Sequence, residues 1–147
     1  MYRHLLVPID ASESSERAME GSIQLAAQLG ASITGFVAAP PAPRQAPGRT
    51  LPMLRQEAHD HEAITEAHAR AILERFEARA RERGVPFVGR HASAPRIEHA
   101  ILAEAEAQGC DMIVMVTEGR GAFGEFLFGS DSKAVLSGSK LPLLVLH

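Results

Sequence analysis

Met112-Ile113-Val114-Met115-Val116 is an unbroken apolar run flanked by Asp111 and by Thr117-Glu118. A run this short and uniform suits a strand covered on both faces, as in a parallel sheet. Working outward, Pro95 opens a helical segment carrying Ile97, Ala100, Ile101 and Ala105, and Gly109 closes it just before the strand. Leu5-Leu6-Val7-Pro8-Ile9, ending at Asp10, repeats the buried-strand pattern near the N-terminus. Ser12-Glu13-Ser14-Ser15 then offers a helix cap and an acidic first turn. Ala18, Ile23, Ala26 and Ala27 supply that helix's apolar stripe, and Gly30 ends it.

The remaining elements follow the same alternation. Residues 31–38 read as a second strand. Five prolines from Pro40 to Pro52, with Gly48, mark an aperiodic Pro-rich loop at about 40–53. A helical pattern runs from about Leu54 to Arg83, with Ile64, Ala67, Ala71, Ile72 and Phe76 on one side, and Gly84 stops it. Residues 85–91 read as a third strand, Ser130 to Leu136 as a short helix, and Leu141 to Leu146 as a fifth strand. Strands joined through helices require parallel pairing with right-handed crossovers and helices on both faces. The expectation is one α/β domain over residues 1–147, an open, Rossmann-like parallel sheet. Ligands of such sheets sit beyond the carboxyl ends of the strands, where strand order reverses.

Composition narrows the function classes. The chain has 147 residues, 46% hydrophobic and 22% charged, and a formal net charge of −3. Those are globular proportions, and no basic excess recruits nucleic acid or an anionic membrane. One cysteine, Cys110, excludes an internal disulfide and reads as a packed side chain beside a buried strand. No apolar run reaches the roughly 18 residues that cross a bilayer. The sequence reads as that of a cytoplasmic protein.

Chemistry concentrates after the first and fourth strands. Asp10 ends the first. After the fourth, Gly119, Gly121, Gly124 and Gly129 lie within eleven positions, followed by Ser130. Glycine allows close backbone approach and turns amide N–H groups towards an anion, and the Ser130 hydroxyl at a helix start adds a donor. A flexible loop with a serine cap fits the same residues.

Gly119, the nine residues Arg120 to Phe128, and Gly129-Ser130 resemble the nucleotide motif of the universal stress protein family. Leu6-Val7-Pro8-Ile9-Asp10-Ala11-Ser12 and Pro142-Leu143-Leu144-Val145-Leu146 resemble that family's first and last strands. The resemblance implies a five-stranded parallel sheet of order 3-2-1-4-5 and a homodimer formed through the last strand, with Leu143 and Val145 at the contact. It implies an adenine nucleotide (ATP, ADP or AMP, with or without Mg²⁺), Asp10 on the ribose, and Pro8, Val37 and Met115 around the base. Gly119, Arg120, Gly129 and Ser130 would hold the phosphates, with Val116 and Asp131 beside them. Three positions depart from the family's pattern. Val116 stands for the motif's first glycine, Glu118 for a common histidine, and Asp131 for a neutral residue. With Glu125, these acids bring negative charge towards phosphates, and a like-charge pair about 4 Å apart costs roughly 4 kcal/mol at an effective dielectric near 20.

Other constellations are weaker. His59, His61 and His68 with Glu57 and Glu62 read as a solvated helix face in preference to a metal site. Ser12, Ser14 and Ser15 read as capping residues before phosphorylation sites or a nucleophile near Asp10. No Gly-x-Ser-x-Gly elbow, P-loop lysine or acceptor aspartate after the third strand occurs. Lys133 and Lys140 are the only lysines, which disfavours efficient phosphoryl transfer. The resulting expectation is a dimeric, nucleotide-binding regulatory module of the stress response with unidentified protein partners and at most slow ATP hydrolysis. An interaction protein of the same fold that binds no nucleotide, and a weak ATPase, stand beside it.

Overall fold

β1 (His4–Pro8) buries every residue from Leu5 to Pro8 and has a parallel partner on each edge. A computed structural model gives the architecture, described over residues 1–10, 13–116 and 138–146. After β1 come α1 (Glu13–Leu29), β2 (Ser32–Ala39), α2 (Leu51–Glu82), β3 (Phe87–Ser93), α3 (Ile97–Ala107), β4 (Met112–Val116) and β5 (Leu143–Leu146). The five strands form one parallel sheet of order β3-β2-β1-β4-β5, as the family resemblance implied. The expected helix between Ser130 and Leu136 lies outside the described residues.

Alternating side chains divide the core between the two sheet faces. Leu5, Val7, Ile9, Ile33, Val114 and Val116 pack beneath α1 and α2. Leu6, Phe36, Ile113 and Met115 pack beneath α3, with Ile101, Ala105 and Cys110. Gly30 and Gly109 follow α1 and α3 with φ of 66° and 65°, the left-handed conformation that reverses a chain after a helix. α3 has no side-chain cap at Arg96. Instead the Glu98 carboxylate in its first turn takes a backbone hydrogen bond, which with the Arg96 guanidinium holds its pKa below the usual carboxylate value.

Several boundaries and faces differ from expectation. α2 begins three residues early because Thr50 caps it, accepting from the Met53 amide at 3.4 Å, and Pro52 fits the first turn, where no amide donor is needed. Its buried stripe is Ala69, Leu73, Phe76 and Ala80. Ile64, Ala67 and Ala71 are exposed, because Ala71 lies about 200° around the helix from Leu73. In α1, Ala27 is exposed, whereas Met19 and Ser22 join the buried face. β3 starts at Phe87, beyond Pro86, which has no amide to donate. β5 likewise starts at Leu143, after Pro142.

Gly35 is required by packing. A Cβ there would stand 2.6 Å from Phe87 Cζ and 3.1 Å from Phe76 Cδ2, in a ring pair with centroids 4.8 Å apart. Gly35→Ala should lower stability by about 1–3 kcal/mol, read as a reduced urea midpoint at unchanged slope. Immediately before Gly35 in β2, Thr34 Oγ1 shares a 2.7 Å hydrogen bond with His4 Nε2, and Cys110 is buried nearby. Burial pushes the Cys110 thiol up to about 11, against a lowering hydrogen bond with Thr34. A folded-state pKa above the ordinary value of 9.0 means that the contribution to stability is complete below that pH. Stability should therefore fall as pH rises from about 9 towards about 11, and the loss should vanish in Cys110→Ala.

Candidate functional site

β1 is where the order of the sheet reverses. The crossover through α1 takes the chain to β2 on one side, whereas α3 delivers it to β4 on the other. The two connections diverge and leave a crevice beyond the carboxyl ends of β1 and β4. The ladder fixes what stands there. Pro8 pairs with Phe36, and the Ile9 amide continues the ladder by donating to the Phe36 carbonyl at 2.9 Å. Asp10 is the next residue, half-buried at the rim.

Ser15, in the first turn of α1 and 3% exposed, holds Asp10 twice. Its Oγ accepts from the Asp10 amide at 2.8 Å and donates to Asp10 Oδ1 at 2.9 Å. One hydroxyl thus fixes both the backbone and the carboxylate of the residue that leaves the central strand. The bond to Oδ1 is charge-assisted and stronger than a neutral one. It restricts the rotamer of Asp10 before any ligand arrives, so a ligand hydroxyl would not bear that ordering cost. Sequence reading placed Ser15 among capping residues and missed this role. Its signal was a small polar residue on the inward side of α1, three positions before the buried Ala18.

The other expected site residues divide by location. Pro8 is buried at the end of β1. Val37, 7% exposed, belongs to the face under α1 and α2, as does Val116 at 6%. Met115, 1% exposed, belongs to the face under α3. The sheet therefore brings Pro8, Asp10, Val37, Met115 and Val116 to one end of the strands but separates the side chains of Val37 and Met115 across its two faces. Gly119, Arg120, Gly129, Ser130 and Asp131 lie outside the described residues, as do Glu118 and Glu125. Among the described residues no group of three or more His, Cys, Asp or Glu side chains is arranged to hold a metal ion. His59 and His68 are exposed on α2, and His61 Nε2 lies 3.2 Å from the Pro40 carbonyl.

A parallel sheet covered on both faces, with a clamped aspartate at its reversal point, defines an open α/β protein of the Rossmann-like type. The model of the universal stress protein family matches residues 1–147, and the chain belongs to that family. Solved structures agree in fold. A universal stress protein family member from Burkholderia pseudomallei superposes with a TM-score of 0.72 at 21% identity, covering 99% of this chain and 96% of that one. A universal stress protein in complex with cAMP gives 0.68 at 24% identity, over 99% and 97% of the two chains. One from Archaeoglobus fulgidus in complex with dAMP gives 0.67 at 16% identity, over 99% and 98%. No curated protein sequence matches the chain.

Ser15→Ala removes an acceptor from the Asp10 amide and a donor from its carboxylate. It should cost about 1–3 kcal/mol in a urea unfolding titration, as expected when a buried polar group loses its partner. An unchanged midpoint would show that the clamp contributes nothing to the fold.

Proposed function

We propose that this chain binds an adenine nucleotide in the crevice beyond β1 and β4 and acts as a dimeric regulatory module. The observation that carries the reading is the Asp10 carboxylate, held by Ser15 at the reversal point of the sheet. A carboxylate accepts a hydrogen bond from a sugar hydroxyl, the contact by which an acidic residue of an open sheet meets the ribose at dinucleotide sites. The family supports the choice of ligand class, since relatives of the same fold are complexes with cAMP and dAMP. In this reading the backbone at Gly119, Gly129 and Ser130 receives the phosphates, and Arg120 or a bound Mg²⁺ offsets the charge of Glu118 and Asp131. Pro8, Val37 and Met115 line the pocket for the base, and Val116 stands beside the phosphates.

The dimer forms through β5, the strand at the sheet's outer edge. Leu143, Leu144, Val145 and Leu146 are each only half-buried, and a second copy would cover them and the open edge together. Nucleotide binding, not turnover, is the activity, and the surface it orders is what a protein partner reads.

Two measurements test the reading together. Native mass spectrometry of freshly purified protein should report a dimer, and Val145→Asp should convert it to monomer. Titration calorimetry with ATP, ADP and AMP, with and without Mg²⁺, should give heat that Asp10→Ala weakens about tenfold or more and Gly129→Val abolishes. No heat at millimolar nucleotide would leave an interaction protein of the same fold without a nucleotide.

A further inference from the structure

α2 is longer than the sheet it covers. Its 32 residues span about 48 Å, yet its buried positions begin only at Ala69. The stripe that packs against the sheet nevertheless continues backwards at helical spacing through Thr65, Ala58, Leu54 and Leu51, on a stretch about 27 Å long. Only the ends of β2 and β3 reach it among the described strands. Loop 40–50 lies beside it too, tied to the helix by the contact of His61 with the Pro40 carbonyl and by the Arg49–Glu57 ion pair at 2.9 Å. Between helix, loop and the ends of β2 and β3 lies a cavity of about 510 Å³, a volume that suits a small organic ligand.

We infer that this cavity is a binding site for a medium-chain alkyl carboxylate, distinct in ligand class from the crevice at β1 and β4. Three features select that chemistry. The described wall is aliphatic, formed by Val37, Ala39, Leu51, Leu54, Ala58 and Ala92, and among the described residues lining it there is no Phe, Tyr or Trp on which a flat ring would stack. The lining contributed by α2 runs from Leu51 to Ala69, a length that an extended flexible chain matches better than a compact heterocycle. Two guanidinium groups, Arg44 from the loop and Arg55 from α2, border the cavity, exposed and without an ion-pair partner among the described residues. Guanidinium is the side chain that receives a carboxylate through two parallel hydrogen bonds. The acidic groups among the described residues at the same cavity are Glu62, which has no described ion-pair partner, and Glu66, which Arg70 engages at 2.8 Å. The imidazoles are His61, engaged by the loop, and His91. The formal balance at the rim therefore favours an anion.

Calorimetry of the full chain with octanoate, decanoate and dodecanoate below their micellar concentrations tests the site. Affinity should rise about threefold to fourfold for each added methylene, the increment for burying a CH₂ group. Arg44→Glu with Arg55→Glu should weaken decanoate at least tenfold, and Ala58→Phe, which fills the cavity without touching the charges, should do the same. Both sets of changes fall on half-buried or exposed positions, so circular dichroism should show an unaltered fold. Absent heat for all three chains overturns the inference. So does an affinity independent of chain length, equal binding of decanol, or binding to phosphatidylglycerol vesicles without binding to soluble decanoate. Asp10→Ala should leave decanoate binding unchanged, which separates this site from the proposed nucleotide crevice.

Discussion

Double-sided pairing of β1 is the constraint from which the rest of the molecule follows. A strand with neighbours on both edges and helices on both faces is largely apolar, and Leu5, Leu6, Val7 and Ile9 are all essentially inaccessible to water. Beyond His4, which Thr34 satisfies, it has no solvent-facing side on which a polar residue can be placed, so the next polar residue marks the end of the strand. Asp10 is that residue. The boundary between core and site is thus drawn by solvation, and the same boundary brings a carboxylate to the point where the chain's connections part.

The clamp on Asp10 extends this logic one layer outwards. A carboxylate at the end of a buried strand and an amide with no further ladder partner are both costly to leave unanswered, and Ser15 answers both. No described buried side-chain polar atom lacks a partner. Across the helices, Glu16 of α1 reaches both Arg75, at 2.8 Å, and Arg79 of α2, fixing the two helices side by side over the same sheet face. The half of α1 that presents Ser15 is therefore itself braced.

Much of this was legible in the sequence, and the failures have specific causes. The buried strands β1 and β4 were readable because covering both faces leaves an uninterrupted apolar run, and β4 falls on Met112–Val116 as expected. The edge strands β3 and β5 were placed too early because their apolar runs include residues on the far side of Pro86 and Pro142, where the ladder has not begun. The face of α2 was misread because this helix is rich in alanine, and alanine fits either side. Only Leu73 and Phe76 carry enough apolar surface to decide, and Ile64 favours the wrong face. At the site, the position of Asp10 was accessible from the strand pattern, whereas Ser15's two hydrogen bonds depend on the angle at which α1 leaves β1, which no spacing encodes. The division of Val37 and Met115 between opposite faces follows from register, and register becomes visible only once the strands are paired.

The uneven seating of α2 has a consequence for how the molecule opens. Its last turns are welded to the sheet through Phe76 and Ala80, while its first turns rely on one loop and on local pairs such as Gln56–Asp60, each contributing only tenths of a kcal/mol. Fraying that begins at Thr50 can advance several turns before it disturbs a core contact. Amide protons along this single helix should accordingly exchange on a gradient, fast at the amino end and as slow as global unfolding at the carboxyl end. One continuous rod of backbone hydrogen bonds thus belongs to two cooperative units, and the border between them falls near Ala69.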